Sequence, residues 1–177
     1  YTNAMNRDKS EMRWALIEMI NHTSRYEIAH FYFEARCRMI ELELEELNYE
    51  AALHQIEVLE RFDDSGVAPN LQAEFYKLKA TYFYRTNQLQ AAQVAIESGL
   101  KLTENSSDEM FQAEISAVHT LILLDMRLIS PSDAITGQAL AFAITESVYD
   151  LAEELALKMR LAEPLPAQPN LWDQGES

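Results

Sequence analysis

Three segments of this chain each carry two apolar stripes, and that doubling restricts the fold more than any other feature. From Tyr26 to Leu47, the residues Tyr26, His30, Phe33, Cys37, Ile40, Leu44 and Leu47 recur at alternating steps of four and three. Ile28, Tyr32, Ala35, Met39 and Leu42 follow the same rhythm two positions ahead. Steps of four and three are the signature of one helical face. Two positions turn an α-helix by about 200°. A helix with both stripes is apolar on nearly opposite sides and has to sit between neighbours. The doubling returns in Leu71, Phe75, Leu78 and Tyr82 beside Ala73, Tyr76, Ala80 and Phe83. It returns again in Phe111, Ile115, Val118 and Ile122 beside Ala113, Ala117, Leu121 and Leu124.

Between these inner helices the pattern predicts single-faced ones. The first starts near Asp8 or Ser10 and ends about Asn21-His22, with Met12, Leu16 and Met19 or Ile20 as its stripe. Ser24 and Glu27 read as a capping box opening the second, and Ser106 and Glu109 as another opening the sixth. A third helix spans about Tyr49 to Phe62, after a break at Asn48. Asn70 caps the fourth, Arg85-Thr86-Asn87 is a tight turn, and the fifth runs from Gln88 to about Leu102. The stretch 131–162 reads as a seventh helix from Pro131 and an eighth capped by Ser147 and Asp150, or as one long helix. Four glycines in 177 residues are too few for the turns of a sandwich or barrel, so the class is all-α with about seven or eight helices. Tyr1 to Ala4, ahead of Met5, look like an expression scar. The single domain spans 6–162, and the Pro-containing segment 163–177 reads as a tail or linker.

The inner and outer helices repeat. Tyr76, Ala80 and Phe83 on one helix, followed by Leu89, Ala92, Ile96 and Gly99 on the next, resemble a tetratricopeptide repeat. The small residues Ala80, Ala92 and Gly99 let the two helices approach, leaving room for Tyr76, Phe83 and Ile96. Tyr49, Ala52, Ile56 and Leu59 match the second helix of a preceding copy, and Ala134 and Ala141 mark a third. Ala52, Ala92 and Ala134 lie about 40 residues apart, against the common period of 34. The chain is thus similar to the longer, degenerate arrays of bacterial regulators. The resemblance implies antiparallel hairpins stacked as a right-handed superhelix whose concave face takes a peptide or helix of another protein. Carrying the family's groove positions onto the best repeat gives Glu74, Lys77, Thr81, Tyr84 and Arg85 as contacts. The basic clamp of chaperone-binding members is absent.

The remaining chemistry is sparse. A net charge of −15 repels phosphate, so neither nucleic acid nor an anionic membrane is an expected partner. Cys37 is the lone cysteine. It sits in an apolar stripe as an inert thiol, consistent with a reducing, cytoplasmic setting. Glu27 and His30 form one Glu-x-x-His pair where a di-iron bundle needs two, and His30 lies on a core stripe. His54 reads as a surface residue, His22 as a helix-end residue, and His119 as facing the groove beside Arg127. Asp63-Asp64-Ser65-Gly66 lacks the ligand spacing of a calcium loop and reads as a turn. The chain therefore reads as a protein-binding scaffold or regulatory module with no enzyme activity, cofactor or metal. One alternative is a sensory domain that forms a homodimer through a terminal helix, with Trp14 near Met12 and Leu16 as its contact. The other is a helical-bundle metal protein or enzyme.

Overall fold

The computed structural model describes residues 2–25, 28–103 and 108–162, and all of its regular structure is helical. Eight helices follow in order: α1 (Thr2–Arg25), α2 (Ala29–Glu45), α3 (Tyr49–Glu60), α4 (Pro69–Arg85), α5 (Leu89–Thr103), α6 (Glu109–Asp125), α7 (Ala134–Thr145) and α8 (Tyr149–Ala162). Each packs against the next in sequence. In addition α2 touches α4, α4 touches α6, and α6 touches α8, so every second helix forms one inner row.

Each stripe of the doubled helices feeds a different core. Phe33, Cys37, Ile40 and Leu44 on α2 join Ala52, Ile56 and Leu59 of α3 and Phe75, Leu78 and Tyr82 of α4. The opposite stripe of α2, Ala35, Met39 and Leu42, packs on Ile20, Leu16 and Met19 of α1. On α4 the second stripe turns away from α2: Ala73 and Ala80 meet Ala92, Ala95 and Ile96 of α5 and Phe111, Ile115, Val118 and Ile122 of α6. The other face of α6, Ala117 and Leu121, meets Ala139 and Ala143 of α7 and Ala152 and Leu155 of α8. Fully burying one such Ile, Leu or Phe contributes roughly 1.5–3 kcal/mol, so a two-faced helix is held from both sides.

The helix junctions share one device. Leu47, Asn87, Arg127 and Ser147 each adopt a left-handed backbone, with φ of 59°, 60°, 57° and 63°. At each, two amides turn back onto the preceding helix: Asn48 N–H to Glu43 O at 2.8 Å with Leu47 N–H to Leu44 O at 3.2 Å. The pattern repeats at Gln88 and Asn87, at Leu128 and Arg127, and at Val148 and Ser147. This double bond is the Schellman ending, which pairs carbonyls a helix end otherwise leaves open. Leu47, Asn87 and Arg127 are 40 residues apart, so the turns repeat with the period of the alanines.

Several boundaries differ from the sequence expectation. α1 starts at Thr2 and runs through Ser24, because Ile20 and Thr23 are buried and keep the last turn on α2. Ser24 therefore opens no helix, and Tyr26 and Glu27 lie outside the described residues. Pro69 takes the first position of α4, where its missing N–H is no loss. Asn70 is already inside the helix, accepting only from Leu71 N–H at 3.0 Å. α6 is capped by Asp108, whose carboxylate accepts from Phe111 N–H at 3.0 Å, while Ser106 lies outside the described residues. α7 begins after Pro131, because Ser130 N–H bonds Asp133 Oδ2 at 2.7 Å and closes a turn first. Ser147 divides α7 from α8, which settles 131–162 as two helices. The segment 163–177 lies outside the described residues. No helix among the described residues is long and apolar enough to cross a membrane.

Candidate functional site

The inner row leaves a groove of about 370 Å³ between α2, α4 and α6. Glu34, Glu74 and Glu114 occupy the same place on the three helices, 40 residues apart. Glu41 and Asp108 complete five carboxylates on the wall, against two cations, Arg38 and Lys77. Leu71, Met110 and Phe111 supply apolar surface. Polar groups converging from three helices onto an open, partly apolar cleft are what a binding site for an extended or helical segment requires.

Three of the carboxylates are already held in ion pairs, and Asp108 caps α6. Lys77 Nζ lies 3.0 Å from Glu74 Oε2 and also pairs with Glu114, above the Phe111 ring at 5.4 Å. Burial works against the Lys77 ammonium, but Glu74 and Glu114 outweigh it and its pKa is raised. Lys77 is thus a fixed positive post joining α4 to α6. Arg38 Nη1 holds Glu41 at 2.9 Å on α2. Glu34 also lines the groove, where its negative charge acts on Arg38.

The five groove positions read from the sequence separate along α4. Glu74 and Lys77 line the groove. Thr81 donates to Lys77 O at 2.9 Å within its own helix. Tyr84 belongs to a second polar cluster, where its hydroxyl donates to Glu154 Oε1 at 3.2 Å beneath Lys158. Lys158 in turn reaches Asp125 Oδ1 and Oδ2 at 2.5 and 2.7 Å, so α4, α6 and α8 meet there. Burial, with Asp125 and Glu154 adding to it, pushes the Tyr84 phenol far above its ordinary range. Arg85 donates to Leu44 O at 3.1 Å, where the carbonyl end of α2 favours a cation. The contributions of α2 and α6, namely His30, Glu34, Arg38, Glu41, Asp108, Met110, Phe111 and Glu114, were not among those five positions. The 40-residue spacing, applied to Glu74 in both directions, reaches Glu34 and Glu114.

The repeat-packing residues sit where α4, α5 and α6 close on one another. Ala80, Ala92 and Ile96 are completely buried, Tyr76, Phe83 and Leu89 partly so. A Cβ added to Gly99 would stand 3.3 Å from Tyr76 Cβ and 3.4 Å from both Ala73 O and Ile115 Cδ1, so no side chain fits without displacement. A larger cleft of about 510 Å³ opens between α5, α6 and α7, but among the described residues only Glu97 and Lys101 bring charge to it. The charged groups converge instead on the inner groove.

The histidines and the cysteine fall differently. His30 is half-buried on the groove wall rather than in the core, because the first turn of α2 extends past the packed part of its stripe. His119 lies on the α5 side of α6 near Glu97 and not at the groove. Burial lowers its pKa, and Glu97 opposes that. His54 and His22 are exposed. Cys37 is 1% exposed, and burial pushes its thiol far above the ordinary range. Asp63 accepts from Ser65 N–H at 3.1 Å in a plain turn. No group of three His, Cys, Asp or Glu among the described residues is placed to hold a metal. Compared with protein-family models, curated proteins and solved structures, the chain matches none.

Proposed function

We propose that this chain is a protein-binding module of the tetratricopeptide-like kind, serving as a scaffold or regulatory element and performing no chemistry itself. Its hairpins wind as a right-handed superhelix, and its inner groove holds a peptide or helix of a partner protein. The observation carrying this reading is the groove between α2, α4 and α6, whose carboxylates recur on successive inner helices. An acidic wall with apolar patches favours a segment that alternates Lys or Arg with apolar residues. Glu34 and the Arg38–Glu41 pair would meet its cations, while Leu71, Met110 and Phe111 take its apolar side chains. The Lys77 post would set the segment's register by repelling a cation beside Glu74 and Glu114. The reading places the chain in the cytoplasm, where its thiol stays reduced.

A displayed random-peptide library tests this directly. Wild-type protein is expected to enrich Lys- and Arg-containing peptides, with affinity falling as salt rises. The Glu34→Lys/Glu41→Lys variant is expected to lose at least about tenfold in affinity, about 1.4 kcal/mol, while keeping its melting temperature. No enrichment, or enriched peptides indifferent to the double substitution, would refute the groove.

A further inference from the structure

The inner row continues past α6. α6 touches α8, and α8 starts 40 residues after α6, 80 after α4 and 120 after α2. Position for position, α8 is the fourth inner helix. His30, Asn70 and Met110 hold the second position of the first three, and all line the groove. The second residue of α8 is Asp150, which lines a further cleft of about 290 Å³ with Glu114, Ser147, Val148 and Tyr149. Glu114 lines both clefts, so the two surfaces are continuous.

The character of the surface changes along this row. In the middle, Lys77 stands between Glu74 and Glu114 and repels a cation. Past it, the second cleft adds Asp150, and no basic residue lines it among the described residues. Glu154, which repeats Glu34, Glu74 and Glu114 at the 40-residue spacing, accepts from the Tyr84 hydroxyl instead. Tyr149 is 61% exposed and Val148 half-buried, so the cleft also has an aromatic and an aliphatic surface. That combination suits a Lys or Arg side chain, with its stem on the apolar part and its charge at the acid or the ring.

We propose that the groove's partner segment is extended and bipartite, with one cation at the Glu34 end and a second, about seven residues away, in the Asp150 cleft. The proposal rests on the inner groove being the binding surface. The spacing follows from the row. Packed helices lie about 8–10 Å apart, and a cleft between α6 and α8 is about two and a half steps from α2, or roughly 20–25 Å. An extended chain advances about 3.1–3.3 Å per residue, which makes about seven residues. A helix, at about 1.5 Å per residue, would need about fifteen. Clefts of about 370 and 290 Å³ favour the extended form, since a helix about 10–12 Å across spans them without entering. Between the two cations the Lys77 post calls for uncharged residues, and Leu71, Met110 and Phe111 take apolar ones.

Fluorescence anisotropy at low salt with synthetic Leu/Ser peptides tests the spacing. One peptide carries a single arginine, and three carry two arginines placed about three, seven or fifteen positions apart. The seven-spaced peptide is expected to bind wild type at least about fivefold tighter than the single-arginine peptide, and the other spacings to gain less. Asp150→Asn is expected to remove that gain, with unchanged circular dichroism and unchanged binding of the single-arginine peptide. No gain at any spacing, a gain that survives Asp150→Asn, or tightest binding at fifteen would overturn the proposal. The groove itself would still stand in those cases if the single-arginine peptide binds wild type and not the Glu34→Lys/Glu41→Lys variant. A single-arginine peptide that binds neither, or both alike, would refute the groove and this proposal with it.

Discussion

The attachment of α1 depends on a buried carboxylate, and removing its partner gives a sharp test of the packing. Glu43 of α2 is 3% exposed and is held by Arg13 of α1 and by Asn48 Nδ2 at 2.9 Å. Arg13 also pairs with Glu46. Changing Arg13 to Met keeps the aliphatic stem but leaves Glu43 in the α1–α2 interface with only a neutral donor. Breaking a buried pair from one side costs about 3–5 kcal/mol. Because the Arg13 side chain is 30% exposed and water reaches it, the lower end applies, about 3 kcal/mol. For a chain of this length about 2–4 °C of melting temperature corresponds to each kcal/mol, so the expected drop is roughly 6–12 °C. The Arg13→Met/Glu43→Leu double variant removes both charges and is expected to recover most of the loss. Urea unfolding of wild type, both single variants and the double variant closes the thermodynamic cycle. A single Arg13→Met variant as stable as wild type, or a double variant less stable than either single one, would show that Glu43 is not confined as described.

Ala92→Leu is expected to overfill the α4–α5 crossing and cost about 1–3 kcal/mol in thermal or urea melting, since Ala92 has no exposed surface. Leu47→Gly is expected to stabilise by about 0.5–1 kcal/mol in the same assay, because Leu47 is 65% exposed yet held at φ 59°. His119 is expected to make the fold more sensitive to mild acid. Its folded pKa lies below the ordinary value, so the unfolded chain binds the proton more readily and stability falls as pH drops through that value. His119→Gln should flatten this part of the curve, as melts taken across the range around pH 6.5 would show. Cys37 is expected to resist thiol reagents in native protein and to react fully once unfolded, because burial keeps it protonated.

The inner helices were legible because two stripes on one segment leave few packing solutions. Each stripe of α2, α4 and α6 was found feeding a separate core. Helix ends were less legible. Ser24 and Asn70 have cap chemistry, but burial of Ile20 and Thr23 carries α1 past the first, and Pro69 starts α4 ahead of the second. Local side-chain bonds worth about 1 kcal/mol lose to tertiary packing. The turn at Asn87 was visible because Asn tolerates the left-handed backbone, whereas Leu47 at the equivalent place carries no such mark. At the groove, the α4 side was read and the 40-residue spacing reaches Glu34 and Glu114, but the pairings across helices carry no sequence mark. Lys77 meets Glu114 across 37 residues, and Tyr84 meets Glu154 across 70. Periodicity placed His30 on a core stripe but had no means of knowing where that stripe outruns its neighbour.

The partition of the interior has a consequence for how the protein comes apart. The α2–α4, α4–α6 and α6–α8 cores meet end to end, and among the described residues no side chain reaches all three. Phe83 packs into the first two, and Tyr84 and Leu151 into the last two. Cooperativity therefore passes from neighbour to neighbour along a line. Such a line opens inward from its ends: α1 has one flank to lose, whereas α4 carries both Phe83 and Tyr84 and is clasped on both sides. Amide protons of α4 should be the last to exchange, and partly opened forms keep the middle of the array while either end is undone.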